Sequence, residues 1–190
     1  GVLFLEKNRL LLLIEAAIFA ALAVILDLLP SIQLSSAISI SIAMVPVLIL
    51  SFRSGAKIGF ISGFLWGLLQ IVLGDAYILT PVQGFIDYFL AFSFIGLAGL
   101  FSKTIQNKLK DGKKSSALFF IIFGIFIGAF ARYFWHFISG VFFFGEYAPE
   151  GMSAVVYSLI VNGITMIGAF VLCAVVTVIL IMAAPRLVVK

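Results

Sequence analysis

The stretch MSAVVYSLIVNGITMIGAFVLCAVVTVILIMAA, Met152–Ala184, contains no charged residue. A bilayer's hydrocarbon core is crossed by roughly 20 predominantly apolar helical residues. This stretch is long enough to cross with length to spare. Working outward from it, five further apolar runs occupy Leu10–Leu29, Ala37–Phe52, Ala56–Leu73, Tyr77–Phe101 and Ala117–Phe144. Lipid admits only helices or closed barrels, and these continuous runs lack the alternation of barrel strands. The expected fold is an all-α integral membrane protein of about six transmembrane helices, one domain over residues 1–190. The second run is short and contains Pro46, so a kinked or tilted helix is expected there. The fifth and sixth are expected to tilt or protrude.

Composition agrees. The 190 residues are 64% hydrophobic and 11% charged, against about 25% charged in soluble domains. The mean hydropathy is +1.29, which leaves no room for a second, soluble domain. The first apolar run does not end in a small-residue cleavage site, so it is expected to stay as a helix. The lone cysteine, Cys173, rules out an intramolecular disulfide and thiol metal or redox pairs. It reads as a small buried hydrophobe.

The connections set the orientation. Lys7 and Arg9 precede the first run, and Arg53 and Lys57 flank the second link. Lys103, Lys108, Lys110, Lys113 and Lys114 crowd the fourth, while Arg186 and Lys190 follow the last run. All lie on one face of a six-helix topology. The opposite connections hold or adjoin Asp27, Asp75, Glu146 and Glu150. By the positive-inside rule the basic face is cytoplasmic, and so are both termini. The remaining basic residue, Arg132, falls inside the fifth run.

Between the first two runs, Ile38, Ile40 and Ile42 alternate with Ser39 and Ser41. This period of two suits an extended segment, a loop folding over an outward-facing pocket; the start of the second helix is the equal alternative. Small residues recur at helix-packing spacing. Gly55, Gly59, Gly63 and Gly67 stand four apart, Gly124 and Gly128 form a pair, and the first helix carries two offset pairs, Ala16/Ala20 and Ala17/Ala21. Such stripes let backbones approach closely. The glycines are expected to pack within the chain. The alanines either do the same or meet a partner protein.

Ionisable groups inside a span are costly and mark function or a structural pair. The candidates are Asp87, Arg132, His136 and Asn162, accompanied by Tyr88 and Tyr157. At about 1.5 Å per residue, they converge on the outer half of the membrane. Arg132 and His136 are one turn apart and share a helix face. The aromatics Tyr133, Trp135, Phe143, Phe144 and Tyr147 surround them in sequence. A polar-tipped, aromatic-walled cavity open to the outside suits a small planar ligand. An ion pair locking Asp87 to Arg132 would explain those two residues without a ligand. Trp66 and Trp135 have the character of interfacial belt residues. Enzyme chemistry finds no support: one histidine, no HExxH, no GxSxG and no P-loop. No nucleic-acid partner is expected. ATP-driven transport would need an ATPase on another chain.

The stretches Tyr77-Ile-Leu-Thr-Pro-Val-Gln-Gly-Phe-Ile-Asp-Tyr88, Arg132-Tyr-Phe-Trp-His136-Phe-Ile-Ser-Gly140 and Tyr147-Ala-Pro-Glu-Gly151 with Tyr157-Ser-Leu-Ile-Val-Asn162-Gly resemble the thiamine-specific substrate-binding subunit of energy-coupling-factor transporters. So does Glu15-Ala-Ala-Ile-Phe-Ala-Ala-Leu-Ala23, and the resemblance spans essentially the whole chain. It implies a six-helix subunit of the bacterial plasma membrane that takes thiamine from outside, without a cofactor. It further implies docking on a transmembrane coupling protein with two cytoplasmic ATPases. The family's binding positions fall on Tyr77, Asp87, Tyr88, Arg132, His136, Phe144, Tyr157 and Asn162, and its docking alanines on Ala17 and Ala21. Two positions depart from the family pattern: Asp87 stands where glutamate is frequent, and Phe144 where tryptophan is frequent. The rival readings are a related subunit for riboflavin or a pyrimidine, and a solitary proton-coupled carrier relaying through Asp87 and His136.

Overall fold

A computed structural model of the chain describes the backbone of residues 2–190 and the side chains of residues 6–190. Among the described residues, six main helices follow in order: α1 (Val2–Asp27), α2 (Val45–Ser54), α3 (Ala56–Val72), α4 (Pro81–Lys110), α5 (Lys114–Phe143) and α6 (Ala154–Ala183). Four of them, α1, α4, α5 and α6, are long and apolar enough to cross a membrane alone. The even number of helices places both ends of the chain on the basic, cytoplasmic side, as the charge pattern requires.

The expected second helix begins only half-way along its apolar run, at Val45. Residues 32–40 instead form a small hairpin, β1 (Ile32–Gln33) against β2 (Ser39–Ile40), with Ile32 opposite Ile40 and Gln33 opposite Ser39. The period-two alternation therefore marked an extended segment. Ile40 is buried and packs on Gly168 of α6, and the thiol of Cys173 lies 3.6 Å from the Ser41 carbonyl. The hairpin base thus descends into the helix bundle, where protein rather than lipid covers its irregular backbone. Pro46 does not kink α2; it occupies the first turn, where its missing N–H costs nothing. Gly55, at φ +88°, makes the break between α2 and α3.

The expected fourth helix differs at both ends. It starts at Pro81 rather than Tyr77. Thr80 is extended (φ −141°, ψ 157°) and its side chain accepts from the Gln83 N–H, the preference of a residue before proline combined with an N-cap. It ends at Lys110 rather than Phe101, so Lys103, Lys108 and Lys110 decorate its final turns. Cations there face the negative end of the helix dipole. The middle of α4 is irregular, with a π-helical segment at Phe85–Leu90 and a 3-10 segment at Ile95–Phe101. Such segments rotate the side-chain register within a helix and recur at functional sites.

The glycine stripe of α3 packs within the chain as expected. A Cβ on Gly63 would strike the Phe92 carbonyl, and one on Gly67 the Tyr88 carbonyl; Gly96 and Gly99 of α4 meet the α3 backbone from the other side. Gly124 and Gly128 of α5 likewise face Phe52, Leu48 and Ile95. Gly67→Ala should therefore force α3 and α4 apart and destabilise the fold by about 1–3 kcal/mol. A lowered melting temperature in detergent checks this; an unchanged one would mean the helices separate freely. The two alanine pairs of α1 divide cleanly. Ala16 and Ala20 are fully buried, whereas Ala17 and Ala21 are exposed on the outer face of the bundle. At the cytoplasmic side Arg53 bonds Glu15 at 3.2 Å and the carbonyls of Arg186 and Leu187. This clasp joins α1, α2 and the C-terminal turn.

Candidate functional site

The π-helical segment of α4 puts Asp87 and Tyr88 toward the bundle interior, where α5 brings His136 and Ser139 and α6 brings Ser158 and Asn162. Asp87, Tyr88, His136, Ser158 and Asn162 border a cavity of about 610 Å³ that opens outward between the hairpin and the α3–α4 and α5–α6 connections, with Ser139 behind Asp87. All eight binding positions named from the sequence border it: Tyr77, Asp87, Tyr88, Arg132, His136, Phe144, Tyr157 and Asn162. Ser36 and Ala37, at the hairpin tip, border it too.

Asp87 is the polar centre. Its Oδ1 accepts from His136 Nδ1 at 2.8 Å, and its Oδ2 accepts from Ser139 Oγ and Gln83 Nε2, each at 2.6 Å. Three donors on a buried carboxylate meet the requirement that a desolvated charge be hydrogen-bonded. Gln83 is itself fixed, because its Oε1 accepts from the Leu79 N–H at 2.8 Å.

The alternative reading, a direct Asp87–Arg132 ion pair, does not hold among the described residues; His136 stands between the two. Arg132 Nε donates to His136 Nε2 at 3.3 Å. An arginine can only donate, so Nε2 accepts, the ring proton sits on Nδ1, and His136 donates it to Asp87. The Arg132 guanidinium lies 4.7 Å from the Phe92 ring centroid, 5.0 Å from Tyr133 and 5.1 Å from Trp66. Its charge is held by aromatic faces. Trp66 is fully buried and stacks on Phe92 at 4.3 Å, so it is not an interfacial belt residue.

At the mouth, Tyr77, Phe144 and Tyr147 form an aromatic cluster, with ring centroids 6.3 Å apart for Tyr77–Phe144 and 6.0 Å for Phe144–Tyr147. The Tyr77 and Tyr147 hydroxyls are 3.2 Å apart. This hydrogen bond pushes the Tyr147 hydroxyl above the ordinary tyrosine range. Tyr88 accepts from the Tyr77 N–H at 2.7 Å. On α6, Asn162 Nδ2 donates to the Ser158 carbonyl at 3.0 Å. Despite their spacing of five, Tyr157 and Asn162 both reach the cavity.

Three aromatics expected around the site do not line it. Tyr133 is buried behind Arg132, Trp135 packs edge-on to Phe94, and Phe143 lies outside the lining. Conversely, the sequence reading passed over Gln70, Gln83 and Ser139. Gln83 is one turn before Asp87, and Ser139 is three residues after His136, so helical spacing signals both. Gln70 is a polar residue inside the apolar run of α3. It donates to Asp27 at the outer end of α1, and Ser41 of the hairpin base reaches the same carboxylate at 3.4 Å. Asp27 and Asp75 also border the cavity. Its walls thus carry three carboxyl groups, Asp27, Asp75 and Asp87, and one guanidinium, Arg132.

Residues 13–189 match the family described as Thiamine transporter protein. The chain belongs to that family. Among its relatives, the Thiamine transporter ThiT of Bacillus subtilis is 40% identical over 184 residues, covering 96% of each chain. That of Lacticaseibacillus paracasei is 39% identical over 185 residues, covering 96% of this chain and 92% of the relative. The solved structure of ThiT from Listeria monocytogenes superposes with a TM-score of 0.93 at 38% identity, over 96% of this chain and all of that one. The six-helix membrane architecture and the outward cavity therefore stand within a family of multi-pass bacterial membrane transporters.

Proposed function

We propose that this protein captures thiamine from outside the cell in the Asp87 cavity and hands it to an ATP-driven energy-coupling-factor complex. The observation that carries the reading is the charge and aromatic content of the cavity. Thiamine has a permanently cationic thiazolium and a neutral, hydrogen-bonding aminopyrimidine. A desolvated cation favours carboxylates and π faces. Three carboxyl groups against one guanidinium, with that guanidinium held by Trp66, Phe92 and Tyr133, give the cavity an excess of acid. Arg132 acts here by orienting His136, not by anchoring the ligand. The Tyr77–Phe144–Tyr147 cluster supplies aromatic surface at the mouth, and Tyr88, Tyr157 and Asn162 supply polar contacts. An anionic ligand would meet the acidic walls unfavourably. A neutral riboflavin would leave the excess acid unused.

The partners of this reading are a transmembrane coupling subunit, seated on Ala17 and Ala21, and two cytoplasmic ATPases. The test is uptake of labelled thiamine in cells with and without those subunits. Uptake only with the full complex supports the assignment. Uptake driven by a pH gradient without the ATPases would replace it with a solitary proton-coupled carrier.

A further inference from the structure

A second cleft lies far from the thiamine cavity, between the cytoplasmic ends of α1 and α3. It encloses about 520 Å³ and is bordered by Asn8, Arg9, Leu12, Lys57, Ile58 and Ile61, with Leu13 at its edge. Among the described residues, its polar end holds two cations and one amide, and no acidic side chain borders it. Neither Arg9 nor Lys57 forms an ion pair among the described residues, although the neighbouring Arg53 is committed to Glu15 at 3.2 Å. The rest of the wall is aliphatic, and Leu13 is 41% exposed on the membrane-facing surface.

We propose that this cleft binds an anionic phospholipid of the cytoplasmic leaflet. Arg9 and Lys57 stand on the positive-inside face, at the level where phosphate headgroups lie. Two cations and an amide lining one cleft match a phosphodiester, and basic pockets between transmembrane helices on this side recognise anionic headgroups. The aliphatic walls at Leu12, Leu13, Ile58 and Ile61 continue from the basic end and take the acyl chains. A free phosphate would match the cations but leave that apolar wall wet. A zwitterionic lipid would bring its own ammonium against Arg9 and Lys57. The lipid would bridge α1 to α3 on the side opposite the cavity mouth.

The experiment is native mass spectrometry of the purified protein with added dioleoyl phosphatidylglycerol or dioleoyl phosphatidylcholine, for wild type, Arg9→Gln/Lys57→Gln, and a Lys110→Gln/Lys113→Gln control of equal charge loss. Wild type and control should retain phosphatidylglycerol selectively. The Arg9/Lys57 variant should lose that selectivity by roughly five-fold per charge removed. Equal retention by the Arg9/Lys57 variant, equal loss in the control, no preference over phosphatidylcholine, or displacement by millimolar inorganic phosphate would each overturn the proposal. The melting temperature without lipid, unchanged between variants, confirms that each is folded.

Discussion

Asp87→Asn should weaken thiamine binding by about 2–5 kcal/mol, or at least 30-fold, the usual cost of removing one partner from a buried charged contact. The substitution changes little volume, so the loss is electrostatic. It also breaks the local network, because asparagine can accept through only one of its two terminal atoms. Its NH2 would face Gln83 Nε2 and Ser139 Oγ if its oxygen kept the His136 bond, or His136 Nδ1–H if it did not. Ser139 can rotate to accept, but His136 cannot shift its proton to Nε2 without colliding with the Arg132 Nε–H. Calorimetric affinity of the folded variant, with an apo melting curve alongside, measures both effects. Unchanged affinity would remove Asp87 from the binding site. A large loss of apo stability, restored by also neutralising Arg132, would instead support a purely structural role for the Asp87–His136–Arg132 relay.

Ala17→Trp or Ala21→Trp should abolish ATP-driven uptake while leaving thiamine binding in detergent intact. Both alanines are exposed on α1, beside Ile14, Ile18, Leu22 and Ile25, which are also exposed. An indole at these exposed positions leaves the buried core undisturbed, so the variants should fold. A helix docked closely on small residues would be pushed off by the bulk. Ala16→Trp and Ala20→Trp are the contrast: both sites are fully buried, and overpacking them should damage folding and binding together. The glycine pair of α5 offers no alternative docking face, because Gly124 and Gly128 are packed against α2 and α4. Normal uptake by both exposed variants would show that this face of α1 does not dock.

The parts of the fold that were legible in the sequence are those where one physical rule acts alone. The charge-free run of α6 and the basic connections are governed by the cost of burying charge in lipid, and both translate directly into spans and orientation. The α2 region was ambiguous because isoleucine and serine alternation inside an apolar run satisfies a strand and a membrane helix equally. Only its packing on Gly168 and Cys173 of α6 decides the matter. The boundary at Pro81 was readable from Thr80-Pro81, but the π-helical segment that turns Asp87 and Tyr88 inward leaves no mark in composition. For the site, polar residues at membrane depth pointed to one cavity. Their wiring did not follow, because sequence shows that Arg132 and His136 share a face but not which of them Asp87 meets. Nor does sequence show that Trp66 and Phe92, distant from Arg132 along the chain, pack their ring faces on its guanidinium.

The central claim is that the acidic, aromatic cavity selects a cationic, thiamine-like ligand. Isothermal titration of the purified protein with thiamine, riboflavin and a neutral aminopyrimidine tests it most directly. The account predicts one-to-one binding of thiamine, with the uncharged aminopyrimidine far weaker for lack of the cation and no heat from riboflavin. Saturable riboflavin binding, or aminopyrimidine binding as tight as that of thiamine, would contradict it.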